Sequence, residues 1–380
     1  MARIPESEQH SAGEPDSVSA ALAAVVRQAI AEAGGWLPFD RFMALALYQP
    51  GLGYYANAGR KFGALPGSGS DFVTAPEMTP LFGRALAAQV AQGLQAAGAG
   101  SVLEFGAGSG ALAASLLDAL DAAGVAVSDY AIVDLSGDLR ARQQQRLARF
   151  GARVRWLDAL PDAFDGVIVG NEVLDAMPVQ LLHFDGAQWL ERGVALAPGG
   201  GLAFADRPTA LRPPVDAPYV PGTTTEVHPQ AEAFVRTLAG LAGRWLALFV
   251  DYGFPEAEYY LPQRHGGTLM CHQAHRADAD PLVDLGRKDI TAHVNFTGIA
   301  LAAQDAGLDV LGYTSQARFL INCGLVGLLE GADLRDRAMA QKLLTEHEMG
   351  ELFKVIALGQ GLDAGFTPLG FAQGDRMHRL

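Results

Sequence analysis

Val102-Leu103-Glu104-Phe105-Gly106-Ala107-Gly108-Ser109-Gly110 decides the fold. An apolar run of strand length passes directly into three glycines at alternating positions, and an Ala- and Leu-rich helical stretch opens at residue 111. Glycine adopts backbone angles that other residues avoid and lets a ligand approach the main chain. The free N–H groups at a helix start attract a carboxylate or a phosphate. The spacing also fits the dinucleotide pattern GxGxx(G/A) through Gly106, Gly108 and Ala111.

Downstream, short apolar strands alternate with helices: strand 101–105, helix 111–123, strand 130–135, helix 139–150, then strands 154–157 and 166–170. This order predicts an α/β fold, a Rossmann-like parallel sheet with helices on both faces and right-handed crossovers. Segments 179–184, 188–196 and 201–205, broken by Asp185-Gly186 and Pro198-Gly199-Gly200, predict an inserted antiparallel β meander. A proline-rich connection (207–221), a helix (229–241) and a buried strand (245–250) follow. Short strands within 266–296, helices 319–329 and 334–345 and a late strand at 351–358 complete the chain.

Upstream, helices are expected at 18–32, 39–47 and 79–96, and the glycine-rich stretch 51–69 is expected to act as a lid or binding segment. The predicted divisions are a disordered tail (1–16), a helical, glycine-rich lid segment (17–100) and a cofactor-binding core (101–178). The meander with the continuation of the core (179–265) and C-terminal substrate-side strands and helices (266–380) follow.

Composition narrows the function. Of 380 residues, 49% are hydrophobic and 18% charged, which excludes a disordered chain. A net charge of −14 argues against a general nucleic-acid binder. No apolar run has the length of a membrane span, and residues 1–16 lack the pattern of a secretory signal, so a soluble, cytoplasmic protein without membrane insertion is expected. Cys271 and Cys323 sit in no CxxC or Cys/His cluster; buried thiols and no metal site are expected.

The strand ends carry the chemistry. Val133-Asp134-Leu135-Ser136 puts an acid at the tip of the second strand, where it can accept from ribose hydroxyls. Asp158 follows the third strand and could accept from an adenine amino group. Asn171 and Glu172 end the fourth strand. Ligands bind at this edge of open α/β sheets. A dinucleotide brings a pyrophosphate, whereas S-adenosyl-L-methionine brings an ammonium and a sulfonium. Glu104 suits an ammonium and repels a phosphate, and no Lys or Arg lies between Glu104 and Asp134. Both facts favour S-adenosyl-L-methionine, with Glu104, Gly106, Gly108, Gly110, Asp134, Ser136, Asp158 and Asn171 as its candidate contacts.

Residues 102–110 resemble the first motif of class I S-adenosylmethionine-dependent methyltransferases. Further blocks are similar to the MidA family, which includes the mitochondrial complex I assembly methyltransferase. They are Gly51-Leu52-Gly53-Tyr54-Tyr55, Asp71-Phe72-Val73-Thr74-Ala75-Pro76-Glu77, Asn171-Glu172-Val173-Leu174-Asp175-Ala176-Met177-Pro178, Val250-Asp251-Tyr252-Gly253 and Asp289-Ile290-Thr291-Ala292-His293-Val294-Asn295-Phe296. The resemblance runs over residues 35 to 360. One departure is Phe82-Gly83-Arg84, where the family has Phe-Gly-Glu. The resemblance implies a class I methyltransferase fold and methylation of an accessible arginine on a partner protein, a respiratory-complex subunit among the candidates.

A guanidinium is a poor nucleophile, with a pKa above about 12 and delocalised lone pairs. Carboxylates can hold it bidentately and localise its charge away from the attacking nitrogen. Glu172 and Asp175 follow the fourth strand, Asp251 follows the next buried strand, and His293 could orient a carboxylate or accept a proton. These four are the candidate catalytic residues, with the base left open among the carboxylates. Tyr54, Tyr55 and Phe72 are expected to close over the adenosine or the substrate. Two other readings remain at this point: an NAD-linked Rossmann oxidoreductase, which leaves Glu104 and the 171–175 block unexplained, and a non-catalytic cofactor-binding assembly factor.

Overall fold

A computed structural model describes residues 14–57, 74–134, 136–273 and 276–380. Residues 1–13 of the expected tail, the glycine-rich positions 59–69 and Phe72 lie outside the described residues. Glu14 begins the first helix, Glu14–Glu32, so residues 14–16 of the stretch expected as a tail are helical.

The central sheet uses β1 (Ser101–Phe105), β2 (Asp129–Val133), β3 (Val154–Leu157), β4 (Gly166–Asn171), β5 (Trp245–Phe254), β6 (Asp309–Ser315) and β7 (Phe353–Gln360). Their spatial order is β6-β7-β5-β4-β1-β2-β3. The run β5-β4-β1-β2-β3 is parallel, while β7 is antiparallel to both β5 and β6. The all-parallel expectation is corrected at this edge. The long helical connection from Gln316 to Leu344 returns the chain to insert β7 in reverse. The chain runs from β1 outward to β3 and then back to β4 on the other side of β1. The topological switch, and the crevice it creates, therefore lies at the carboxyl ends of β1 and β4.

Period-two burial along β5 splits the core into two layers. Leu246, Leu248 and Val250 face the helices Leu81–Ala97 and Ala111–Ala122; Trp245, Ala247 and Phe249 face Pro229–Ala239 and Phe296–Asp305. Gly83 seats the first helix pair: a Cβ there would stand 1.9 Å from Ser115 Oγ. The helix Phe296–Asp305 and strand β6 were not expected from the sequence.

A separate module packs beside this core. Strands Gln180–Phe184, Trp189–Leu196 and Leu202–Pro208 form the expected antiparallel meander, and the sheet also takes in Leu37–Pro38 and Thr224–Val227. With the helices Glu14–Glu32 and Phe39–Tyr48 and the segment around Cys271, Leu285 and Ile290 it has its own hydrophobic core. Cys271 and Cys323 are both buried and unpaired with each other.

Candidate active site

A cavity of about 1070 Å³ opens at the switch point, between the glycine turn of the central sheet and residues of the second module. Gly106, Gly108 and Gly110 have φ of 62°, 55° and 81°. A side chain in this left-handed region costs about 1–2 kcal/mol. The Gly106 N–H donates to the Val133 carbonyl at 3.0 Å, which ties the turn to the end of β2. A Cβ on Gly106 would stand 3.2 Å from Val173 Cγ2, so the turn lies tight against the chain that leaves β4. Gly110 starts the helix Ala111–Ala122 and, unlike Gly106 and Gly108, does not line the cavity.

Glu104 is buried behind the turn and accepts from the Tyr130 hydroxyl at 2.7 Å. Burial pushes its carboxyl up to about 8; the Tyr130 bond opposes this, and the charge of Asp134 adds to it. Asp134 lines the cavity and is oriented by Gln143, whose Nε2 donates to Asp134 Oδ2 at 2.7 Å and to the Gly108 carbonyl at 2.9 Å. Trp156 Nε1 in turn donates to Gln143 Oε1 at 2.8 Å. Gln143 is fully buried and joins the turn, the acid and the third strand. The apolar side chains of Leu139, Ala159 and Leu160 line the same end.

Besides Gly110, two further expected cofactor contacts, Ser136 and Asp158, do not line the cavity. The Ser136 hydroxyl accepts from the Leu139 N–H at 3.3 Å as the cap of the helix Gly137–Leu147 and does not reach the cavity. Asp158 turns outward to an ion pair with Arg140 at 2.7 Å, its side chain 87% exposed; the cavity wall passes through its neighbour Ala159 instead.

The far end is built by the chain leaving β4 and by the second module. Asn171 Nδ2 donates to Glu172 Oε1 at 2.8 Å. Glu172 takes a φ of 54°, the left-handed conformation in a non-glycine residue, and its N–H donates to the Val250 carbonyl at 2.9 Å. Such strain is held only where the surroundings fix it, and it clusters at functional positions. Burial, then the charge of Asp175, raise the Glu172 carboxyl to about 8. Asp175 accepts from the Tyr252 hydroxyl, and burial raises it to about 6.

Asp251, expected among the catalytic residues, is placed elsewhere. Its Oδ2 accepts from the N–H groups of Val173, Leu174 and Asp175 at 3.1, 2.9 and 3.3 Å, and it does not line the cavity. It holds the 173–175 turn that presents Glu172 and Asp175, and is not itself placed to touch a substrate.

His293 lines the cavity, its ring stacked on Phe254 at 5.3 Å and edge-on to Tyr252 at 5.0 Å. Burial, followed by the nearby charges of Arg264 and Lys354, lowers its imidazole to about 4. Several residues at this end were not assigned from the sequence. Asp289 is buried and both its oxygens accept from the Tyr55 hydroxyl, at 2.8 and 2.9 Å. Tyr55 stacks on Tyr48 at 5.6 Å, and Tyr48 donates to the Ala176 carbonyl at 2.8 Å. Tyr54, paired with Tyr55 in the sequence reading, is buried and absent from the wall, whereas Tyr55 lines it. Arg84 is exposed and outside the cavity, so the departure from the family pattern does not touch the site.

Two features describe the ligand. Buried side-chain atoms with no hydrogen-bond partner include Asn171 Oδ1, Asp175 Oδ1, Thr291 Oγ1 and His293 Nδ1, all on residues of this wall. Buried polar groups are normally satisfied, and of these four the Asn171 and Asp175 oxygens can serve a ligand as acceptors. Glu77, Glu104, Asp134, Glu172, Asp175 and Asp289 line the cavity, while no Lys or Arg does among the described residues. A pyrophosphate finds no Lys or Arg among these lining residues, whereas an ammonium, a sulfonium and ribose hydroxyls find acceptors.

The strand order, the glycine turn and the acid at the tip of β2 define a class I S-adenosyl-L-methionine-dependent methyltransferase. A methyltransferase family of that description matches residues 85–314, and the chain belongs to it, with S-adenosyl-L-methionine as its cofactor. A Burkholderia thailandensis protein crystallised with S-adenosyl-homocysteine is 52% identical, matches over 98% of this chain and 100% of that one, and superposes with a TM-score of 0.93. A native crystal structure from the same organism is 51% identical over 98% of this chain and 100% of that chain, with a TM-score of 0.89. Two curated relatives are more distant. A Caenorhabditis elegans protein named as a mitochondrial protein arginine methyltransferase is 26% identical over 85% of this chain and 83% of its own length. The Danio rerio mitochondrial protein arginine methyltransferase NDUFAF7 is 27% identical over 86% and 84%.

Proposed function

We propose that the chain transfers a methyl group from S-adenosyl-L-methionine to an arginine side chain of a partner protein. The observation that carries this reading is the acid-rich far end of the cavity. Glu172, Asp175 and Asp289 line it beside Asn171 Oδ1 and Asp175 Oδ1, which lack a hydrogen-bond partner, and no Lys or Arg lines the cavity among the described residues. A guanidinium has five N–H donors in a planar fork and no acceptor, and is the natural complement of such a wall.

The cofactor supplies a methyl group on a sulfonium, already activated for displacement. Glu172 and Asp175 orient the guanidinium and draw its charge away from the nitrogen that attacks. Tyr48, Tyr55 and Tyr252 exclude water and offer aromatic faces to a cation. The nitrogen gives up one proton as its new bond forms. Glu172, raised to about 8 while empty, ionises against the incoming cation and can take that proton back as the charge disperses. The names of the distant relatives support the arginine substrate. A respiratory-complex subunit is the first partner to assay.

The test is incubation with methyl-labelled S-adenosyl-L-methionine and proteins of the source organism, followed by mass spectrometry of the labelled residue. Methylarginine is expected, with transfer reduced about 10²-fold or more in Glu172→Gln, on the scale of losing one charge-stabilising contact, and S-adenosylhomocysteine binding retained. Label confined to another residue type would end the arginine reading.

A further inference from the structure

Behind the far wall lies a second set of buried titratable groups that the transfer step does not use. Glu226 and His228 stand on and just after the strand Thr224–Val227, at the edge of the second sheet, and both are buried. Glu226 Oε1 accepts from the N–H groups of Thr268 and Leu269 at 2.9 and 3.0 Å, and its Oε2 from the Tyr259 hydroxyl at 2.8 Å. Gly267 makes the approach possible: its φ is 72°, and a Cβ there would stand 2.4 Å from Glu226 Oε1.

The set closes on the backbone of one residue of the active site. The His293 N–H donates to Thr268 Oγ1 at 3.1 Å, and the His293 carbonyl accepts from His228 Nε2 at 2.9 Å. Tyr259 links the two arms, its hydroxyl 2.8 Å from Thr268 Oγ1 and 3.3 Å from His228 Nε2. The His293 backbone is thus gripped on both sides by groups rooted in one buried carboxylate. Its imidazole, with Nδ1 unpartnered in the cavity wall, packs on Tyr252, which bonds Asp175.

We propose that Glu226 and His228 are positioning residues: through Thr268 and Tyr259 they fix His293, and with it the Tyr252–Asp175 pair, at the substrate end of the cavity. The proposal rests on the arginine methyl-transfer reading for the consequence of that placement, not for the placement itself. His228 must carry its proton on Nε2 to donate to the carbonyl. Glutamine can place an amide donor at the same point, whereas phenylalanine fills the space and leaves the His293 carbonyl unpaired.

The experiment compares His228→Phe, His228→Gln and Glu226→Gln in the full chain bound to S-adenosylhomocysteine. The first readout is the imidazole titration of His293 by NMR of histidine-labelled protein, assigned with His293→Gln. In the wild type the midpoint is expected at about 4. In His228→Phe and Glu226→Gln it should rise by a unit or more as the loosened ring gains water, and in His228→Gln it should stay. The second readout is label transfer to the proteins identified above: kcat at least tenfold lower in His228→Phe, within about threefold in His228→Gln, with KM for S-adenosyl-L-methionine unchanged. The double variant His228→Phe/His293→Ala should lose no more than His293→Ala alone. An unmoved His293 titration in both disruptive variants, or fully additive losses, would overturn the proposal. If His228→Phe does not fold, Glu226→Gln decides it by the same two measurements. Absence of label in any protein, with the titration moving as expected, would instead defeat the arginine reading and leave the positioning network standing.

Discussion

Glu104 shows how one buried carboxyl can read a cofactor. It has the Tyr130 hydroxyl as its bonded donor, and no Lys or Arg lines the cavity among the described residues. Its folded value is raised to about 8, so the empty protein holds it protonated at neutral pH. The sign follows directly. A group raised on folding contributes stability that is full below its unfolded value and lost as pH climbs through about 8. The ammonium of the methionine tail favours the ionised form, so binding at pH 7 must expel the proton. S-adenosylhomocysteine binding is therefore expected to release up to one proton at pH 7 and almost none at pH 9, and to tighten as pH rises between those values. Calorimetry in buffers of differing ionisation enthalpy measures this. Release that is absent at pH 7 in the wild type, or unchanged in Glu104→Gln, would separate Glu104 from the cofactor's ammonium.

The glycine turn works as an element only because the helix Gly137–Leu147 braces it. Gln143 bonds Gly108, Asp134 and Trp156 together, and leaving three buried polar groups unpaired costs about 1–3 kcal/mol each. Gln143→Leu is expected to weaken S-adenosylhomocysteine binding at least tenfold with the fold retained. Gly108→Val, which puts a β-branched residue at a φ of 55°, should abolish it. Isothermal titration and circular dichroism check both. The turn itself was legible because strand, alternating glycines and helix coincide in nine residues, and β1 and β3 matched their expected bounds. Gln143 was not legible, since a glutamine in the middle of a polar helix carries no sign of burial. Asp158 misled for the opposite reason: an acid after a strand is common, and Arg140 on the preceding helix captures it. The helix Phe296–Asp305 did leave a signal. Asn295 Oδ1 caps it by accepting the Gly298 N–H at 3.2 Å, and Gly307 follows it, but the apolar run 289–296 drew the reading toward strands.

At the scale of the molecule, the cavity is a seam between the central sheet, with its two core layers, and the second module, which has its own core. The central sheet supplies the glycine turn, Asp134, Glu172 and Asp175. The second module supplies Tyr48, Tyr55 and Asp289. On the proposed reading, the common sheet holds the cofactor and the added module meets the substrate. The seam could not be read from the sequence because Asp289 and Tyr55 meet across 234 residues. Its charge has a consequence for encounter. The chain carries a net charge of −14, and six acids without a Lys or Arg line the cavity among the described residues. Clefts of one sign focus their field and speed capture of oppositely charged partners, an effect that salt removes. Raising salt from 0.1 M to 1 M shortens the screening length from about 10 Å to about 3 Å. For a basic protein substrate, kcat/KM is then expected to fall at least tenfold. S-adenosylhomocysteine, whose amino-acid tail is a net-neutral zwitterion, should keep its Kd within about twofold. Stopped-flow capture and titration across the salt series distinguish the two ligands. A substrate whose kcat/KM ignores salt would be held by apolar contact with the second module, and the acidic seam would then serve the methyl-transfer step alone.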